Sequence, residues 1–311
     1  MKITLTELRY LDAVDRERHF GRAAAACCVS QPTLSAGIAK LEANLGVQLF
    51  ERGRRGVRAT PAGERLVVQA RKVLEEARAF EQLAAGNNDP LTGPLRVGVI
   101  YSIGPYLLPR LLPPLHQRAP AMPIILEENY TARLAEKLER GDLDVIVIAL
   151  PFAAPHTVTQ VVYEEDFVVA LPNAHALVKK KRISADMLES EKLIVLGAGH
   201  CFRDQVLQAC PACQHGSNDD VMEGSSLETI CHMVAGGIGV TVLPHSSAAH
   251  HAHNKLLTIR PMQQPAPKRQ VALAWRKAFP RPEAVELLRH AILDCGLEGV
   301  RYAHEPAIRF R

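Results

Sequence analysis

At 311 residues the chain is too long for one ordinary core, so two or three compact units are expected. No apolar run reaches the roughly 18 residues that cross a bilayer, and Met1-Lys2-Ile3-Thr4 lacks the charged-then-apolar build of a signal peptide, which excludes a membrane protein and predicts a cytoplasmic one. The formal charge of +4 lies wholly in the first 62 residues, where ten basic side chains face six acidic ones: a basic head on a neutral body, suited to polyanion at one end and a small species at the other.

Thr4-Leu5-Thr6-Glu7 is a capping box, and Leu8, Leu11 and Val14 mark one face of the helix it opens. Residues 21–26 form a short run of high helix propensity. Ser30 then caps a second helix with Pro32 in its first turn, anchored by Leu34, Ile38, Leu41 and Leu45 and stopped at Gly46. Two extended stretches, 47–50 and 57–59, flank an arginine-tipped hairpin wing. From Thr60-Pro61 a longer helix carries Leu66, Ala70, Val73, Ala77, Phe80 and Ala84 at steps of four and three, the seam of a coiled coil that needs a partner. Residues 86–94 are a hinge by composition. The expected domains are a head (1–62), a linker and dimerisation helix (63–88) and a regulatory domain (89–311).

Beyond the hinge, apolar runs at 95–100, 124–126 and 145–150 alternate with helical stretches at 109–118 and 131–140, a βαβ rhythm that the runs at 167–171, 193–196 and 240–243 repeat. The fold class is α/β: a winged helix-turn-helix and long linker helix, then two lobes with a cleft at the carboxyl ends of their strands.

The head resembles the LysR-type transcriptional regulators. Phe20-Gly21-Arg22-Ala23-Ala24, Ser30-Gln31-Pro32-Thr33-Leu34-Ser35, Lys40-Leu41-Glu42, Leu49-Phe50-Glu51-Arg52 and Thr60-Pro61-Ala62-Gly63 carry the likeness in order. It implies a regulator rather than an enzyme, with a sensor domain like a periplasmic binding protein. Gln31, Pro32, Thr33, Ser35 and Lys40 would read DNA from the second helix, while Arg52, Arg54, Arg55 and Arg58 would hold phosphate or the minor groove. Double-stranded promoter DNA, a second copy of the chain (a dimer, paired into a tetramer) and RNA polymerase are the implied partners. At Gly37 and Ala39 the sequence departs from the longer polar side chains common in the family, and a glycine inside a helix costs about 1 kcal/mol.

In the C-terminal part the likeness narrows to the family's peroxide-sensing members, carried by Gly199-His200-Cys201-Phe202-Arg203-Asp204-Gln205 with Cys210 nine residues after Cys201. Read without the family, Cys201 follows a glycine turn and starts a helical stretch at 202–209, so its sulfur lies at a helix N-terminus beside His200 and Arg203, which favours thiolate. Helical geometry would hold the two α-carbons roughly 13 Å apart, beyond the about 7 Å a disulfide spans. Oxidation of Cys201 by hydrogen peroxide and closure onto Cys210 would therefore remodel the segment. The resemblance also implies a peroxide pocket of Ser102, Thr131, His200, Arg203, Asp204 and Arg269, Ser102 standing where the family often has Thr. No cofactor and no metal are expected.

Three other readings compete. Cys210-Pro211-Ala212-Cys213 with His215, His245, His250, His251 and His253 has metal-ligand composition, although Ser and Ala neighbours make the later histidines a solvated loop. Cys213 could replace Cys210 as resolving thiol. The cleft could bind a small organic effector reversibly, or Cys201 and His200 could serve a thiol peroxidase or hydrolase, for which a DNA-reading head has no purpose. Cys27, Cys28, Cys231 and Cys295 sit among apolar neighbours and read as packing residues.

Overall fold

Thr4 caps the first helix as its sequence predicts: the Thr4 hydroxyl accepts from the Glu7 amide, and the Glu7 carboxylate accepts from the Thr4 amide at 2.8 Å. The computed structural model describes residues 3–53, 56–84, 89–210, 221–251 and 253–303. The chain divides into two compact units, Met1–Asn88 and Asp89–Arg311.

In the first unit, α1 (Leu5–Glu17), α2 (Phe20–Ala26) and α3 (Gln31–Leu45) precede a hairpin of β1 (Phe50–Gly53) and β2 (Gly56–Ala59), and α4 (Pro61–Ala84) follows. His19 caps α2, its ring Nδ1 accepting from the Gly21 and Arg22 amides, a start one residue earlier than propensity alone suggests. Ser30 caps α3, and Gly46 ends it at φ +69°, where a side chain would be strained. Leu11, Val14, Ala23, Leu34, Leu41 and Leu49 fill the core. The tip residues Arg54 and Arg55 lie outside the described residues.

Gly37 has a reason that the sequence alone did not supply. A Cβ there would stand 2.7 Å from Cδ2 of Tyr10, a buried ring of α1, so α1 and α3 approach closely only because position 37 is bare. We expect Gly37→Ala to destabilise the head by about 1–3 kcal/mol through overpacking, and Tyr10→Leu in the same chain to recover most of the loss in a thermal melt.

The seam expected along α4 is divided. Val67 and Ala70 are buried in the head's own core, and Arg71 bridges α4 to α1 through Asp12 (2.7 Å) and Asp15 (2.8 Å). Ala70 therefore packs within its own chain and not on a partner. Further along, Phe80 is 72% exposed, an apolar ring left in water.

The second unit opens with β3 (Leu95–Ile100), α5 (Gly104–Arg118), β4 (Ile124–Asn129), α6 (Thr131–Arg140) and β5 (Val145–Ala149). β3 pairs in parallel with both β4 and β5, the arrangement the first series of apolar runs predicts. The next strand, β6 (Thr157–Pro172), is far longer than the run at 167–171 indicates. After it come β7 (Leu193–Leu196), α7 (Cys201–Ala209), β8 (Val221–Gly224), α8 (Leu227–Ala235), β9 (Thr241–Pro244), α9 (His245–His250), β10 (Leu257–Pro261), β11 (Lys268–Arg276), α10 (Pro282–Leu293) and β12 (Val300–Tyr302). The first half of β6 pairs antiparallel with β11, and its second half with β9 and β10, so one strand serves two lobes. Two cores result. One gathers β3, β5, β11, α5 and α10, the other β7, α7, α8 and β9 with the end of β6. The second lobe is mixed rather than a repeat of the first, because β9 and β10 run against β6, while β7 and β8 form a separate parallel pair.

No described helix is long and apolar enough to cross a membrane. The histidine stretch expected as a solvated loop is helix α9, with Ser246, Ser247 and Ala248 buried. Cys231 and Cys295 are buried, but Cys28 is exposed at φ 55° and Cys27 only half-buried. Those two belong to the tight turn between α2 and α3, so they are not core residues as their neighbours suggest.

Candidate functional site

On the head, Gln31, Pro32 and Thr33 are exposed in the first turn of α3, with Ser35 partly covered one turn on, and Arg58 is exposed on the wing strand β2. The Thr33 hydroxyl lies 2.7 Å from that of the cap residue Ser30. Lys40 is placed differently: its ammonium pairs with Glu7 at 3.1 Å, tying α3 to the α1 cap. That contact helps to hold the Glu7 carboxyl below its usual range, after the larger effect of the Thr4 amide. Arg52 lies on β1; Arg54 and Arg55, as noted, are not described.

In the second unit, Cys201 begins α7, at the end of the helix where unpaired backbone amides gather. The helix straddles the lobes. Phe202, Val206 and Cys210 are buried in the second lobe's core, whereas Cys201 is half-buried and packs on the first. Neither cysteine is in a disulfide. Cys210 caps the far end of the nine-residue helix that Cys201 begins, which sets their α-carbons roughly 13 Å apart.

His200 does not supply the positive charge that its sequence position suggests, and Arg203 is engaged with other groups. His200 is 8% exposed, and burial holds its imidazole below the usual range, so the ring beside Cys201 is neutral near pH 7. The Arg203 guanidinium donates to the Leu196 carbonyl at 3.0 Å and pairs with Glu223 of β8, pinning α7 to the β7–β8 pair. Asp204 is exposed in the first turn of α7.

Ser102 and Arg269 are brought together, but by each other. Arg269 donates to Ser102 Oγ at 2.9 Å and to its carbonyl at 3.0 Å, and pairs with Glu165 at 2.9 Å, both charged side chains being fully buried. Glu165 accepts from the Ser246 amide of α9 at 2.8 Å, so the cluster joins the loop after β3 to the second lobe. The guanidinium also lies 5.2 Å from the centre of the Phe202 ring, next to Cys201. Arg269 therefore acts as a bracket between Ser102, Glu165 and the ring of Phe202. Thr131 offers more. Its hydroxyl, at the start of α6, is buried without a protein partner, as is Oε1 of Gln205, whose Nε2 donates to the Leu150 carbonyl at 2.8 Å.

Sequence reasoning missed Tyr101, Tyr130, Gln205 and Glu165. The two tyrosines directly precede Ser102 and Thr131 at strand ends, a position that could have drawn notice. Glu165 lies 104 residues from its partner, within an acidic run that gives no sign of burial. Among the described residues no group of three or more His, Cys, Asp or Glu side chains is disposed to hold a metal; Cys213 and His215 fall outside them.

A model of the bacterial regulatory helix-turn-helix proteins of the lysR family matches residues 5–64, and one of the LysR substrate binding domain matches residues 88–295. The chain belongs to the LysR family. Among its relatives is a protein of Pectobacterium carotovorum named a hydrogen peroxide-inducible genes activator, 38% identical over 94% of this chain and 96% of its own. A full-length OxyR variant from Pseudomonas aeruginosa with a cysteine replaced by aspartate has a TM-score of 0.80 at 48% identity, covering 99% of this chain and 100% of that one. An OxyR from Corynebacterium glutamicum with a cysteine replaced by serine and hydrogen peroxide bound has a TM-score of 0.64 at 32% identity, over 96% and 95% of the two chains. The LysR-type winged helix-turn-helix and α/β sensor read from the sequence are thus what the chain has.

Proposed function

We propose that this LysR-family protein is a hydrogen-peroxide-responsive transcriptional regulator that senses through Cys201 and signals by bridging it to Cys210. The observation that carries the reading is the placement of α7. It presents one thiol at its N-terminus toward the opposite lobe and keeps the other in the core at its far end. The names of its relatives support peroxide as the oxidant.

The chemistry balances in two steps. The Cys201 thiolate attacks one peroxide oxygen, the O–O bond breaks, and a proton taken up by the departing hydroxide makes water, leaving a sulfenic acid. The Cys210 thiol then displaces that hydroxyl as a second water and forms the disulfide. The second step requires α7 to unwind, because a bridge spans about 7 Å between α-carbons. Each peroxide is consumed once per protein unless a reductant is supplied, which is the behaviour of a switch and not of an enzyme.

The remaining roles follow from that reading. Gln31, Pro32, Thr33, Ser35 and Arg58 face promoter DNA with the other wing arginines. The far half of α4, with Phe80 bare, pairs with a second copy, and two such dimers make a tetramer that engages RNA polymerase in the cytoplasm. The functional division is 1–62, 63–88 and 89–311.

The test is to treat reduced full-length protein with a few equivalents of hydrogen peroxide and map disulfides by mass spectrometry beside Cys201→Ser. A bridge from Cys201 to Cys210 that the variant cannot form is expected. A bridge to Cys213 would reassign the resolving thiol, and intact thiols throughout would replace the proposal with a reversibly bound effector.

A further inference from the structure

Three aromatic rings meet at the entrance to α7, and none of them takes part in the chemistry above. Tyr101 follows the end of β3 and Tyr130 the end of β4, neighbouring strands whose last residues, Ile100 and Asn129, are in register. Their rings stand edge to face at 5.4 Å. His200, from the other lobe, closes the triangle at 4.8 Å from Tyr130 and 5.7 Å from Tyr101.

The three are not equally covered. Each tyrosine is 38% exposed, whereas His200 is 8% exposed, so the tyrosines are the outer wall and the histidine the inner face next to Cys201. Gly199, two residues before the cysteine at a φ of +95° that favours glycine, lies against the Tyr130 ring: a Cβ there would be in ordinary contact with it at 3.4 Å. Among the buried polar atoms without a protein partner are Thr131 Oγ1, on the residue after Tyr130, and Gln205 Oε1, one helical turn beyond Cys201. These suit a small molecule that both donates and accepts hydrogen bonds. A large organic substituent would have to part the three rings, which pack on one another.

We infer that Tyr101 and Tyr130 determine which peroxides reach Cys201, closing on His200 so as to admit hydrogen peroxide and turn away hydroperoxides that carry a large organic group. The inference rests on the peroxide reading and adds to it the basis of selectivity. Edge-to-face rings pack through shape and quadrupole, so phenylalanine preserves the wall and alanine opens it.

The experiment measures the rate at which Cys201 loses its thiol in the reduced full-length protein, by quenched alkylation and mass spectrometry, with hydrogen peroxide and with cumene hydroperoxide. Wild type and the Tyr101→Phe and Tyr130→Phe variants should share one strong preference for hydrogen peroxide. Tyr101→Ala and Tyr130→Ala should raise the cumene hydroperoxide rate relative to hydrogen peroxide by about tenfold or more, the range over which pocket walls discriminate. Tyr101→Val and Tyr130→Leu keep an apolar filler and should fall between, which provides the test if an alanine variant fails to fold. A ratio that is the same in every folded variant overturns the inference, as does a wild type without preference. Wild-type Cys201 inert to both oxidants would instead sink the peroxide reading itself.

Discussion

Replacing Arg269 with alanine should destabilise the regulatory unit by about 3–5 kcal/mol, because it strands the carboxylate of Glu165 in a water-free interior. Both side chains are fully buried, and the guanidinium is the only cation that the described structure places on Glu165. The same change removes two hydrogen bonds from Ser102 and the cation beside the Phe202 ring. For a unit of this size the loss corresponds to a fall of roughly 6–20 °C in melting temperature. Adding Glu165→Leu to Arg269→Ala should return a large part of it, since a buried pair often exchanges for apolar residues at little cost. A full-length melt in which Arg269→Ala moves the midpoint by under about 2 °C would show that Glu165 finds another partner.

Arg203→Ala should speed disulfide formation. The guanidinium ties α7 to the Leu196 carbonyl and to Glu223, and both ties must break before Cys210 can approach Cys201. Glu223 is half exposed, which moderates its contribution, so the combined restraint is about 1–2 kcal/mol. The second step should then run roughly 5–30 times faster, with the peroxide step nearly unchanged, since Arg203 is committed elsewhere. Stopped-flow traces separating sulfenate formation from bridging would decide it. Acceleration of the first step alone would mean that Arg203 shields the thiol rather than restrains the helix. Glu223→Gln should reproduce part of the effect.

The head was legible because its signals are local. Thr4, Glu7, Ser30, Pro32 and Gly46 each fix a helix end within four residues of chain, and the structure uses them as read. The first sensor lobe was legible for the same reason, its parallel strands being continuous apolar runs. β6 was not: three consecutive acidic residues, Glu164-Glu165-Asp166, interrupt its apolar pattern, and pairing with β11 and β12, a hundred or more residues later, makes that segment a strand. The chemistry divides similarly. Cys201, His200 and Cys210 announce themselves as a cluster in sequence, whereas the bracket of Ser102, Glu165 and Arg269 and the aromatic wall exist only once distant strands are laid side by side. Gly37 shows the converse, a residue that looks like a defect along the chain and becomes a fit once Tyr10 packs across it.

The position of Cys210 bears on how the protein returns to rest. Cys210, Phe202 and Val206 are each no more than 2% exposed, and drawing such side chains out of a core costs about 1.5–3 kcal/mol apiece. In a form bridged from Cys201 to Cys210 that cost would fall on the oxidised state alone and would raise the reduction potential of the pair, by roughly 60 mV for every 3 kcal/mol. The folded core acts as a spring loaded against the bridge. Once the oxidant is gone, ordinary cellular thiols would find this disulfide easy to open, and an alarm that is costly to hold on resets itself.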